Sequence, residues 1–163
     1  MNMKRKIRKG MFETNSSSVH SIVIESLDTL DDFPPVDEDG KVRISPDEFG
    51  WEYGGNYSGV QKKLSYLATI ICQRLGCWGE EDMLEEIEDD DDFQLVNDVI
   101  INYMKCDGWE IVKREDSFHP WGYIDHQSYC GSIRATLNEF SGISLPYFLF
   151  SSDVVLVIDN DNH

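Results

Sequence analysis

The chain has 163 residues, 40% of them hydrophobic and 12% aromatic, and a formal net charge of -17. That is enough apolar material for one packed domain, and no run of 18 apolar residues is present to make a membrane-spanning helix. A charge so far from zero repels nucleic acid and anionic membranes, which argues against direct binding of the body of the chain to either.

The charge is unevenly placed. Lys4, Arg5, Lys6, Arg8 and Lys9 supply five of the fourteen basic residues, so the rest of the chain carries -22. A basic arm, residues 1–9, is thus joined to a strongly acidic body. No apolar segment of the kind a secretory signal needs follows the arm. A cytosolic protein is expected, with Cys72, Cys77, Cys106 and Cys130 as reduced thiols.

In chain order, Ile7 to Ile24 reads as strand, polar turn and strand, with Gly10 and the run Thr14 to Ser18 supplying turn chemistry. Residues 28–40 form an acidic surface loop. Lys41 to Ser45 is a short strand, and Ser45-Pro46 has the pattern of a helix start. Phe49 to Gly59, rich in aromatics and glycine, reads as a loop or lid. Val60, Leu64, Leu67, Ala68, Ile71, Cys72 and Leu75 recur at helical spacing and predict a helix over 60–75, ended by Gly76. A second, very acidic helix starts near Glu80. A third runs from Asp92 to Lys105, with Phe93, Val96, Ile100 and Met104 on one face and Asp91 or Asp92 as its cap. Strands are expected at Trp109 to Asp116 and at Trp121 to Tyr129, and a short helix at Ser132 to Phe140. Tyr147 to Phe150 and Asp153 to Asp159 read as the last strands, joined tightly through Ser151 and Ser152. Strands, then helices, then strands give an α+β class: a single domain over 1–163, with a mixed or antiparallel sheet packed against two or three helices.

Three polar clusters carry possible chemistry. The first is Asn15, Ser16, Ser17, Ser18 and His20, at the mouth of an apolar strand. Serine and asparagine in such a place satisfy backbone amides in a turn, and the same groups can hydrogen-bond a core histidine. Alternatively, Ser17 or Ser18 is a nucleophile, which needs a base within about 2.6–3.2 Å. Ser18 and His20 are two residues apart on a strand, about 6.5 Å, so a dyad is better completed by His126 from elsewhere. The second cluster is Asp125, His126, Gln127 and Ser128: an aspartate can orient a histidine that acts as general base, or the stretch is ordinary loop chemistry. The third is Asp159, at the end of an apolar strand, suited to acid–base work or to a divalent cation, or simply part of a solvated tail.

The stretch "RKGMFETNSSSVHSI" resembles the N-terminal signature of an uncharacterised bacteriophage and prophage protein family. The segments "GYIDHQS" and "IDNDN" fit the same resemblance. It implies a phage protein made inside a bacterium and carries no activity with it. It also links the three polar clusters, which would form one catalytic or nucleotide-binding pocket if their strands are neighbours.

Between Glu80 and Asp92, ten of thirteen residues are acids. Such a run is either a solvated face or a set of carboxylates that imitates a nucleic-acid backbone and fills a basic groove on another protein. In the second case Glu80, Glu81, Glu85, Glu86, Asp90 and Asp91 bind, Asp31 to Asp39 assist, and Met83, Leu84 and Ile87 hold the helix down. Cys72 and Cys77, with Cys106, Cys130, His119 and His126, are zinc candidates, but the spacing departs from a metal knuckle and a core thiol fits Cys72 better. No metal and no cofactor are assigned. The expected function is that of a phage accessory protein in the bacterial cytoplasm, which binds and inhibits a host defence or nucleic-acid enzyme through an acidic surface. The rival is a small hydrolase, transferase or nucleotide-binding protein using the Ser/His/Asp clusters.

Overall fold

A computed structural model describes residues 5–8, 18–24, 33–50, 55–78, 83–115, 117–124, 131–139 and 142–160. Strands β1 (Arg5–Arg8) and β2 (Ser18–Ile24) lead the chain. They are followed by β3 (Val42–Ile44), β4 (Glu48–Phe49) and β5 (Gly55–Tyr57). Helices α1 (Val60–Leu75), α2 (Leu84–Glu88) and α3 (Asp91–Met104) form the middle. Strands β6 (Trp109–Ile111) and β7 (Tyr123–Ile124), helices α4 (Ile133–Glu139) and α5 (Leu145–Phe150), and strand β8 (Val154–Asn160) complete the order. The class is α+β, as the pattern predicts.

The main sheet is antiparallel in the order β1-β2-β8-β5, and β2 and β8, from opposite ends of the chain, form its centre. Two small parallel ladders, β3 with β6 and β4 with β7, lie apart from it. Val154, Leu156 and Ile158 of β8 are buried, and the register sets them opposite Ile24, Ile22 and His20 of β2. Alternate residues of a strand share one face, so β8 presents a continuous apolar row to the core.

Helix α1 is the hub. Its predicted boundaries hold: Gly59 precedes it in extended conformation, and Gly76 ends it with φ +76°, a left-handed value that glycine adopts without strain. The predicted stripe is buried from Val60 to Cys72, with Leu75 half-buried. The burial goes further, however. Lys63, Ser65, Tyr66, Thr69 and Ile70 are also inside, because α1 touches α2, α3, α4 and α5 and both parallel ladders. A helix covered on several faces buries polar side chains as well where they find partners: Ser65 and Thr69 donate to the carbonyls of Ser45 and Asp47, and Lys63 to that of Ser151.

Two expected elements are corrected. Tyr147 to Phe150 is helical, not a strand. Ser144 accepts a hydrogen bond from the Tyr147 amide at 3.4 Å and Pro146 sits in the first turn, a helix start that a four-residue apolar run conceals. Ser45-Pro46 starts no helix but leads into β4. The Ser45 carbonyl accepts from Ser65 Oγ at 2.7 Å, and Asp47, the residue after Pro46, is held by Thr69, Lys62 and Arg114. Tertiary partners there outweigh the local signal. The third helix begins one residue earlier than expected, and Asp90 is its cap.

Candidate functional site

The first candidate is the end of the central strand pair. Ser18 lies opposite Asn160, Val19 opposite Asp159, and His20 opposite Ile158. On the other side of β8, Gly55 lies opposite Ile158. The pairing thus brings the backbone of two predicted clusters, separated by most of the chain, to one end of one sheet. Asn15, Ser16, Ser17, Asp125, His126, Gln127 and Ser128 lie outside the described residues. The chain entering the Asp125 segment is fixed nonetheless. Ile124 is paired with Phe49 in the β4–β7 ladder. Both of its backbone groups are also bound by one side chain of α1: Gln73 Nε2 donates to the Ile124 carbonyl at 2.9 Å, and Gln73 Oε1 accepts from the Ile124 amide at 2.7 Å.

The second candidate is the acidic segment. Glu80 and Glu81 lie outside the described residues, but from Met83 onward it is built into the fold. Ile87 is 1% exposed, Met83 and Leu84 pack partly buried against the core, and α2 contacts both α1 and α3. Those apolar anchors turn Glu85, Glu86, Glu88, Asp89 and Asp91 outward, where all five are exposed. Asp90 and Asp92 take the other direction. Asp90, 8% exposed, accepts hydrogen bonds from the amides of Asp92 at 3.0 Å and Phe93 at 3.1 Å, capping α3. Its other oxygen pairs with Arg74 in the last turn of α1. Asp92 accepts from the Ile133 amide at 3.1 Å and lies 3.4 Å from the same guanidinium. One arginine therefore serves the two inward acids. Neither Arg74 nor the inward turn of Asp90 is visible in the spacing.

The acidic loop is partly committed to the fold. Asp37 and Asp39 both pair with Arg43, which also reaches Glu110 at 3.3 Å. Glu38 between them is exposed.

A third feature escaped sequence reasoning. A cleft of about 490 Å³ is lined by Arg43, Ser45, Asp47, Lys62, Ser65 and Arg114, among others. Asp47 is its centre. Its carboxylate pairs with Lys62 and, at 3.1 Å, with Arg114, and accepts from the Glu48 amide at 2.9 Å. Burial works against its ionisation, but the Lys62 hydrogen bond, the Glu48 amide and the charges of Lys62 and Arg114 outweigh it and hold its pKa below the usual carboxylate value. Lys62 and Arg114 thus have Asp47 beside them, and Glu48 lies 3.8 Å from Arg114, although Arg114 Nη1 is buried without a hydrogen bond among the described residues. Lys62 and Arg114 are distant from Asp47 in sequence, and no local pattern announces them.

Among the described residues, no group of three or more His, Cys, Asp or Glu is placed to share a metal ion, and no helix is long and apolar enough to cross a membrane. No protein-family model, curated protein or solved structure matches this chain.

Proposed function

We propose that the protein is an interaction protein, encoded by a phage or prophage, that places its α2–α3 acidic face in a basic, phosphate-binding groove of a bacterial defence or nucleic-acid enzyme and so blocks it. The phage origin rests on the N-terminal resemblance. One observation carries the mode of binding: Ile87 is buried beneath five exposed acids, so the carboxylates are fixed to the core rather than strung along a flexible run. Glu85 with Glu88 and Asp89 are like charges at helical neighbour spacing, and each such pair costs a helix about 0.2–0.5 kcal/mol. The last turn of α2 has no basic residue to relieve them. A face that weakens its own helix is suited to a positive partner, where the same repulsion becomes attraction.

The test is capture of bacterial proteins by the full chain and by a Glu85→Lys, Glu86→Lys, Glu88→Lys variant. The expected partner binds the wild type, is lost by the variant, and is released by duplex DNA and by raised salt. A partner that the variant retains, or that DNA does not displace, refutes the proposal.

One observation favours a second reading, a small enzyme or nucleotide-binding protein: the β2–β8 register sets Ser18 and His20 on one face at the end of the sheet, paired with Asn160 and Ile158, while Asp159, paired with Val19, is at the same end on the opposite face. In that case His20→Ala or His126→Ala removes nucleotide binding or hydrolytic activity while the far-ultraviolet circular dichroism stays that of the wild type. Unfolding of both variants makes the histidines structural.

A further inference from the structure

The last turn of α1 closes on itself through two cysteines. Gly76 takes the left-handed conformation, and the Cys77 amide donates to the Cys72 carbonyl at 2.9 Å. This is the helix-ending motif in which the residues on either side of the closure normally make an apolar side-chain contact. Here the two residues at those positions are cysteines, 0% and 3% exposed. One backbone hydrogen bond joins the pair directly, which keeps their Cα atoms within the separation a disulfide bridges, roughly 4.4–6.8 Å. Both cysteines are free and buried, whereas Cys106 is more exposed and stands apart, with its thiol directed at the carbonyls of Gly108, at 3.7 Å, and Ile100.

We propose that Cys72 and Cys77 are a redox-active dithiol that a small peroxide converts reversibly to a disulfide. The two sulfurs are inequivalent. A hydrogen bond from Cys72 lowers the Cys77 pKa, whereas the same bond, with burial and the charge of Asp90, raises that of Cys72. Cys77 is therefore the sulfur that ionises and attacks. Its thiolate bonds to one peroxide oxygen and the O–O bond breaks. The other oxygen leaves as hydroxide and takes a proton to become water, so Cys77 becomes a sulfenic acid. The Cys72 sulfur then displaces that hydroxyl: an S–S bond forms, the S–O bond breaks, and the Cys72 proton leaves with the hydroxyl as a second water. Two thiols have lost two electrons and one peroxide has gained them. The pair also lies at the end of α1 that carries Arg74, so the bridge fixes the turn from which the acidic segment departs.

The experiment treats the full folded chain with hydrogen peroxide, blocks remaining thiols with iodoacetamide after unfolding, and maps the peptides by mass spectrometry. The expected result is a fall from four alkylated cysteines to two, a bridge joining Cys72 to Cys77, Cys106 still alkylated, and recovery of all four after dithiothreitol. A Cys72→Ala variant is expected to stop at a Cys77 sulfenic acid that dimedone traps. Because the mapping needs only the wild type, a variant that does not fold leaves the test intact. Retention of four alkylated thiols, loss of Cys106 before the pair, or a bridge to Cys106 or Cys130 overturns the proposal.

Discussion

Arg74, in the last turn of α1, is paired with Asp90, the residue that caps α3. The contact couples the central helix to the acidic segment and separates the acids that hold the fold from those that face solvent. Removing the cap by Asp90→Ala is expected to cost about 1 kcal/mol from the lost cap alone, plus the loss of the ion pair. Arg74→Met should cost more than Asp90→Asn, because it leaves Asp90 and Asp92 close together without their shared counter-charge. Urea unfolding of the three variants gives the order.

The outward acids are expected to behave oppositely. Glu85→Gln, Glu86→Gln and Glu88→Gln together should raise the unfolding free energy by a few tenths of a kcal/mol per relieved pair, while weakening capture of a basic partner. A triple variant that is destabilised places those side chains in the fold rather than in recognition.

Lys63 is 0% exposed, yet among the described residues its Nζ meets only the Ser151 carbonyl at 3.1 Å and the face of Phe148 at 5.7 Å. Burial lowers its pKa from 10.5 to about 8. The unfolded chain then binds the proton more tightly than the folded one, so the charged lysine penalises the fold fully below pH 8. The penalty is relieved as pH rises from 8 towards 10.5. The wild type is expected to gain on the order of 3 kcal/mol across that window relative to Lys63→Met. Parallel pH curves for the two proteins would show that Lys63 titrates normally.

At Gly122 a side chain would meet backbone as well as a left-handed conformation. Gly122 has φ +76°, and a Cβ there would lie 2.6 Å from the Asp47 carbonyl and 2.8 Å from Thr69 Oγ1. Gly122→Ala is expected to destabilise by about 2 kcal/mol or more, from the left-handed backbone and the clash together. It should also loosen the β4–β7 ladder that leads to Asp125 and His126, visible as faster amide exchange at Ile124.

Asp47 gives the acid-side counterpart. Its folded pKa is lowered, so it stabilises the protein above its unfolded value, and that contribution is lost as pH falls through the folded one. Asp47→Asn should be less stable than the wild type at pH 7, with the two curves converging in strong acid.

Much of this fold is written locally. The apolar spacing from Val60 to Leu75 and the glycine after it specify α1 at both ends, because helical periodicity and a left-handed cap are properties of neighbouring residues. The same is true of α3 and of the class as a whole. Tyr147 to Phe150 was illegible because four apolar residues fit either a strand or a helix. The spacing places the cap at Asp91 or Asp92 rather than at Asp90 because the three aspartates are chemically alike, and only the packing that starts α3 at Asp91 and turns Asp90 and Asp92 inward toward Arg74 distinguishes them.

The sequence by itself determined the charge, the class, the central helix and the residue types able to do chemistry. Only the tertiary structure decided which acids face water, that Lys63 is sealed in the core, that Asp47 gathers Lys62 and Arg114, and that β2 and β8 bring Ser18 and Asp159 to one end of a sheet. The reason is that side-chain partners and burial depend on contacts between segments far apart in the chain, and local patterns carry no record of those contacts.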